Sequence, residues 1–236
     1  GDENIPCKDE AEIFARLDLP FIPPELREDM GELEVSELPS LVERSALLGV
    51  FHCHTSYSDG IASVEEMARA AMKKGFCYLV IADHSKSAGY AGGLSESAVA
   101  EQAKEIAAVN KKLKSFRIFH GIESDIRSDG SLDYSEEVLS VFELVIASIH
   151  TKLNMTTEEA TSRVIRAVEN PYTTVLGHPT GRLLLSREGY PLDIERVFDA
   201  CVEHDVAVEI NANPHRLDID WRHIRRGKEK GVRFCI

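Results

Sequence analysis

Two histidines, His52 and His54, stand two positions apart at the end of the first strongly apolar segment, and Asp59 follows after the short polar stretch Thr55-Ser56-Tyr57-Ser58. Side chains two apart on a strand leave the same face, so both imidazoles can reach one metal ion. Asp59-Gly60 is itself a turn signal and puts the carboxylate on the loop beyond the strand. Metal-ligand residue types recur at the ends of later apolar segments, as Asp83-His84, Gly121-Ile122-Glu123, His150 and Gly177-His178-Pro179. One histidine at a strand end is more often a hydrogen-bonded structural residue than a ligand. Five in one register (His52, His54, His84, His150 and His178), with Asp59 and Glu123 among them, read together as a metal cluster. His120, His204 and His223 fall outside that register and read as packing or surface residues.

Imidazoles with one or two carboxylates suit zinc, manganese or iron, whereas calcium and magnesium prefer all-oxygen cages. The candidates outnumber the four positions of one tetrahedral zinc, so two or three metals are expected. Such clusters clamp phosphate oxygens and acidify water for in-line attack, which puts phosphoester hydrolysis first among the chemistries. Lys86, Lys152, Arg182 and Arg216 follow strand ends and are candidates for binding the substrate phosphate. Arg216 is the best placed, just after Asn213-Pro214, with His215 at the rim; no general acid stands out.

The elements that must position these residues show in the rhythm of the chain. Apolar, β-branched runs at 47–54, 77–84, 116–123, 144–150, 173–178 and 206–213, with 232–236 beginning another, are short and continuous. That pattern fits strands buried on both faces of a parallel sheet. Helical periodicity fills the intervals at 63–75, 95–114, 156–170, 193–205 and 218–230, with a shorter stretch at 134–142. The first of these opens on the capping-box pattern Ser63-Val64-Glu65-Glu66 and closes at Gly75. Successive strand ends lie 27 to 39 residues apart, about the length of one βαβ unit. Unbroken alternation predicts a parallel (β/α) barrel, in which all C-terminal strand ends open onto one face.

Composition sets the outer bounds. The 236 residues are 43% hydrophobic and 28% charged, which suits one globular domain with a short arm. Residues 1–45 read as that arm: a helix at 11–17, then Pro20, Pro23 and Pro24, then an acidic stretch at 25–34. A net charge of −13 argues against a broad basic surface for nucleic acid, although bound dications would offset it locally. The five cysteines are scattered without a CxxC pair and read as reduced thiols, not zinc ligands. With neither a signal-peptide pattern nor a membrane-length apolar run, a cytoplasmic location is expected.

As a set, His52-x-His54 with Asp59, Asp83-His84, Gly121-Ile122-Glu123, His150 and Gly177-His178-Pro179 resemble the PHP (polymerase and histidinol phosphatase) superfamily over residues 46–236. Finer matches resemble the C-terminal PHP domain of bacterial family X DNA polymerases. These are Ala91-Gly92-Gly93-Leu94-Ser95, Glu123-Ser124-Asp125-Ile126 with Asp129-Gly130-Ser131-Leu132-Asp133-Tyr134, and Glu209-Ile210-Asn211-Ala212-Asn213-Pro214. Residues 20–28 resemble the linker before that domain, so 1–45 is expected to continue from a polymerase region.

The resemblance implies an α/β fold, a distorted seven-stranded (β/α)7 TIM-like barrel, with up to three divalent metals, Mn2+ or Zn2+. It assigns His52, His54 and Glu123 to the first metal, Glu123, His150 and His178 to the second, and Asp59 and His84 to the third. The superfamily pattern closes with an Asp-x-His after the seventh strand, whereas this sequence stops at Ile236. A C-terminally truncated domain with an incomplete last strand is therefore expected, its second metal site best retained and its third weakest. The implied activity is 3′–5′ exonuclease or 3′-end processing in DNA repair. DNA 3′ ends would be the partner, held mainly by the polymerase region, with no membrane partner. Two alternatives remain: a small-molecule phosphatase of the histidinol-phosphatase type, and a structural PHP domain without activity.

Overall fold

The short apolar runs become seven strands: β1 (Gly49–Cys53), β2 (Tyr78–Ile81), β3 (Arg117–Asp125), β4 (Leu144–Ser148), β5 (Val175–Leu176), β6 (Ala207–Glu209) and β7 (Phe234–Cys235). The computed structural model describes residues 5–35 and 37–236, which fall into two units, one ending at Ala46 and one comprising Leu47–Ile236. In the second unit the strands pair in parallel in chain order, β1 through β7. They curl into a half-barrel and alternate with helices. These are α2 (Val64–Lys73), α3 (Glu96–Asn110), α4 (Glu136–Leu139), α5 (Thr157–Val168), α6 (Ile194–Glu203) and α7 (Ile224–Lys230), while α1 (Glu10–Arg16) belongs to the first unit. No helix among the described residues is long and apolar enough to cross a membrane.

Local chemistry sets the helix ends. Ser63 caps α2 and Glu66 returns the bond, completing the capping box, while Val64, Ala68 and Ala71 supply its buried stripe. Thr156 and Glu159 do the same for α5. The stretch expected as a helix over 218–230 is divided. Asp218 pairs across to Asn211 in an isolated bridge, and the Asp220 carboxylate accepts from the Arg222 N–H to start a 3-10 turn at Trp221–His223. Only then does α7 begin. In the first unit Asp9 caps α1, and the Arg27 guanidinium binds Glu10 at 2.9 Å and lies over the rings of Phe14 and Phe21.

β5 and β6 are shorter than the apolar runs that announce them. Past Leu176 the chain turns at His178, whose φ is 21°, and Pro179 has no N–H to continue a ladder. Register sets which residues face the barrel interior. Gly121, Glu123 and Asp125 of β3 stand beside Leu144, Ile146 and Ser148 of β4. Ile146 packs with Ala82 and Val175 in a small apolar plug, while Val145, Ala147, Leu176 and Val208 face the helices in the larger core. Burying one such Ile or Val contributes about 1.5–3 kcal/mol. Glu123 therefore stands on the same face as that plug, with only imidazoles to meet it.

His120 lies in β3 outside the cluster, 5% exposed, its ring 4.8 Å from that of Phe142 and its Nε2 without a partner. Burial pushes its pKa down to about 4. Unfolded, the same imidazole titrates near 6.5. Between those values the unfolded chain binds the extra proton, so acid destabilises the fold through this residue. At pH 5 the cost is about 2 kcal/mol relative to pH 7.5. Urea unfolding of wild type and His120→Leu in EDTA should show that extra loss in the wild type only; equal losses would refute the assignment.

Candidate metal centre

Glu123, 1% exposed, is the point on which five imidazoles converge. Its Oε1 lies 3.2 Å from His52 Nε2, 3.1 Å from His150 Nε2 and 2.8 Å from His178 Nε2. Its Oε2 lies 2.9 Å from His84 Nδ1 and 3.4 Å from His54 Nε2. Asp59 closes the outer side, 2.7 Å from His54 Nδ1 and 3.6 Å from His84 Nε2. All seven residues named as ligands from the sequence line one open cavity of about 610 Å³. They come from β1 and the loop after it, the loop after β2, β3, and the loops after β4 and β5, which parallel pairing delivers to one end of the sheet.

Carboxylates behind the rings orient them. Glu209 Oε1 is 2.7 Å from His52 Nδ1, and Glu209 Oε2 accepts the backbone N–H of His178 at 2.6 Å. Asp125 Oδ1 is 2.5 Å from His150 Nδ1. Such carboxylate–imidazole contacts fix the tautomer and leave the opposite nitrogen to face a metal. Asp83, read with His84 as a ligand-type pair, turns away from the cavity. Its buried carboxylate accepts from Thr55 N, Thr55 Oγ1, Ser58 Oγ and Gln102 Nε2, and so braces the turn that carries Asp59. Asp125 and Glu209 were missed as site residues. The signals for them were the motif matches in which they stand, Glu123-Ser124-Asp125-Ile126 and Glu209-Ile210-Asn211-Ala212-Asn213-Pro214, and neither match marks which ring the carboxylate orients.

The electrostatics favour positive charge. Burial alone would raise Glu123, but the imidazoles of His52 and His150 hold its carboxyl well below the usual range. Burial alone would lower His52, but Glu123 and Glu209 carry it well above its ordinary value. Burial likewise opposes His150, yet Glu123 and Asp125 take it up to about 9. A dication entering this field meets the same attraction as those protons. Three triads have donor atoms close enough to share one ion: His52–His54–Glu123, His54–Asp59–His84, and His84–Glu123–His150. His178 stands outside these triads, and its buried Nδ1 has no partner. His84 Nδ1 is near Glu123 but out of line for a hydrogen bond. Unsatisfied imidazole nitrogens beside a buried carboxylate are what a metal-binding donor set leaves, and the residues fit the expected divalent ions.

The proposed phosphate ligands separate. Arg216 lines the cavity, together with Tyr90, Asn211 and Asn213. Lys86 and Arg182 do not line it. Lys86 pairs with Glu96 at 3.2 Å, while Arg182 binds Asp220 at 2.5 Å and the backbone carbonyl of Arg216. Lys152 lines a separate small pocket with Asn154 and Glu159, and the His215 N–H donates to Asn213 Oδ1.

Residues 51–213, more than two thirds of the chain, match the PHP domain. The chain belongs to the PHP domain family. Residues 1–28 match the DNA polymerase beta thumb. The chain is 41% identical over 228 residues to the DNA polymerase/3′-5′ exonuclease PolX of Bacillus subtilis, covering 96% of this chain and 40% of that protein. It is 30% identical to a probable phosphatase of Caldanaerobacter subterraneus, covering 76% of this chain and 65% of the relative. The chain thus spans less than two thirds of these relatives. Among solved structures, a histidinol phosphate phosphatase from Lactococcus lactis, in complex with zinc, L-histidinol and phosphate, shares the fold with a TM-score of 0.51 at 15% identity. That likeness covers 80% of this chain and 95% of the other.

If Glu209 orients His52 within this PHP domain, Glu209→Gln should weaken zinc binding about 10- to 100-fold, measured by chelator competition. Affinity equal to wild type would leave Glu209 without that role.

Proposed function

We propose that this chain is a metal-dependent phosphoesterase acting on DNA 3′ ends. The observation that carries the reading is the shell of five imidazoles around Glu123 at the floor of an open cavity, with Arg216 on its wall. His52, His54 and Glu123 would hold one metal, Asp59 and His84 with His54 a second, and Glu123 and His150 with His84 or His178 a third, as Mn2+ or Zn2+. Divalent metals bound there supply Lewis-acid polarisation of phosphoryl oxygens and an acidified water for in-line displacement.

The chain's own residues do the rest. Glu209 and Asp125 hold the His52 and His150 rings in orientation, and Asp83 fixes the turn that presents Asp59. Arg216 gives the phosphate a cation with five N–H donors, uncompensated by a carboxylate among the described residues. Asp59, Glu123, Asp125 and Glu209 by themselves repel a phosphate, so substrate affinity depends on loading the centre. The likeness to a DNA polymerase/3′-5′ exonuclease and the thumb match favour DNA as substrate. Residues 1–45 are then the end of a polymerase region that supplies much of the DNA affinity, consistent with the acidic balance of the chain.

A second reading, a small-molecule phosphatase, is favoured by the probable phosphatases among the relatives. The test compares a 3′-labelled single strand with a small phosphomonoester in Mn2+. Shortening of the strand from its 3′ end, lost in EDTA and restored by Mn2+, is expected. His52→Ala should lower kcat/KM by about 100-fold or more, the scale of losing a charge-stabilising group at the reacting centre. Strand cleavage unaffected by His52→Ala would sink the metal-centre reading, and turnover of the monoester alone would favour the phosphatase.

A further inference from the structure

Tyr90 does not fit the chemistry of its surroundings. The cavity is otherwise walled by imidazoles, carboxylates, amides, a guanidinium and apolar side chains that include Phe76, yet here beside the imidazoles a phenol ring is left 69% exposed. Its ring is steeply inclined to those of His84 and His150, at 64° and 66°, with centroids 5.9 and 6.3 Å away. Neither imidazole stacks flat on it, and its exposure leaves ring surface open at the cavity.

The loop that carries Tyr90 is built to hold it still. Ala88, Ala91 and Leu94 are buried on either side of it. Ser87 N donates to Asp133 at 2.7 Å and Ser87 Oγ to Asp125 at 3.0 Å. Leu94 donates its N–H to the His84 carbonyl at 2.9 Å and accepts from Tyr134 Oη at 2.6 Å. Gly93 leaves no room for a side chain, since a Cβ there would meet the Ser85 carbonyl oxygen at 1.9 Å. An exposed aromatic on a mobile loop would lose ordering entropy on every encounter, and one fixed in place does not.

Arg216, Asn211 and Asn213 line the same cavity. Each Asn side-chain oxygen accepts a backbone N–H, from Asn213 and His215 respectively, so the two amide NH2 groups are unspent among the described residues. A cation and two amide donors, with a fixed aromatic face over the metal ligands, match a phosphate joined to a flat heterocycle. Bare phosphate would use the cation and the amides and leave the aromatic ring idle.

We propose that Tyr90 is a stacking platform for the base of the nucleotide whose phosphodiester enters the metal centre, and that it biases the site toward nucleotidyl esters over small phosphomonoesters. This rests on the nucleic-acid reading above. Stacking needs only a π-face, so it accepts any base.

The test measures Mn2+-dependent cleavage of two oligonucleotides that differ only in a 3′-terminal base or an abasic 3′-terminal sugar. Tyr90→Ala should raise KM about 10- to 100-fold on the base-bearing strand, the range for one base–aromatic stack, and leave the abasic strand unchanged. Tyr90→Phe should restore wild-type KM. Binding is read apart from turnover by the quenching of a 3′-terminal 2-aminopurine on a slowly cleaved phosphorothioate strand in Zn2+. Quenching should occur with wild type and Tyr90→Phe and vanish with Tyr90→Ala. Unchanged KM in Tyr90→Ala, or equal losses on both strands, overturns the proposal. So does a fall in kcat for Tyr90→Phe at constant KM, which would assign the role to the hydroxyl. A wild type that cleaves no strand defeats the nucleic-acid reading itself; the quenching experiment then still decides whether Tyr90 binds a base.

Discussion

A carboxylate buried to 1% exposure is a liability unless its charge is met, and Glu123 is met from every side by rings. Much of the fold follows from that demand. Five imidazoles can gather around one carboxylate only if several strands end together at its level, which parallel pairing in chain order achieves without long connections. Three of the rings have their second nitrogen held by an outer carboxylate: Glu209 behind His52, Asp125 behind His150 and Asp59 beside His54. A layer of carboxylates thus surrounds a layer of imidazoles with one more carboxylate at the centre. Removing an outer member leaves a ring free to turn, and removing the centre leaves the rings without a common acceptor.

What could be read from the sequence, and what could not, follows from the range of the interactions. β2 and β4 were legible because both faces of a parallel strand are buried, which leaves continuous apolar text. The five site histidines were legible because register puts them at equivalent strand ends. Asp125 and Glu209 were not, because the ring that Glu209 orients lies 157 residues away in sequence and nothing local marks the pairing. Charge at a strand end was a poor guide for a similar reason. Lys86 and Arg182 stood where phosphate ligands could be, but Glu96 and Asp220 claim them, and only the folded chain sets those partners. The short extent of β5 follows from the turn at His178 and Pro179, while that of β6 depended on where its neighbours' ladders stop, information held in other strands.

The negative charge of the chain takes on a local meaning in this light. Part of it is gathered at the floor of the cavity, where carboxylates raise the affinity of the rings for positive charge. Elsewhere it is spent on helix ends and brackets: Glu66 and Glu159 in capping boxes, Asp83 beneath the Asp59 turn. On the proposed reading, an acidic protein and an anionic substrate are compatible because the field at the site favours cations first. Arg216, on the wall of the cavity, would meet the phosphate second.

The sheet order, in which each strand pairs with the one before it in sequence, divides the molecule into two ends with different freedom. Every helix-to-strand turn lies at the end remote from the cluster. One such turn passes through Gly75, at φ 86° with open space where a Cβ would be. Such turns can lengthen, shorten or accept a grafted segment without moving a ligand. The opposite turns carry Asp59, His84, Tyr90, His150 and His178 and have no such latitude. A lineage built on this plan can therefore exchange partners and attachments at one end while the chemistry at the other passes unaltered from protein to protein.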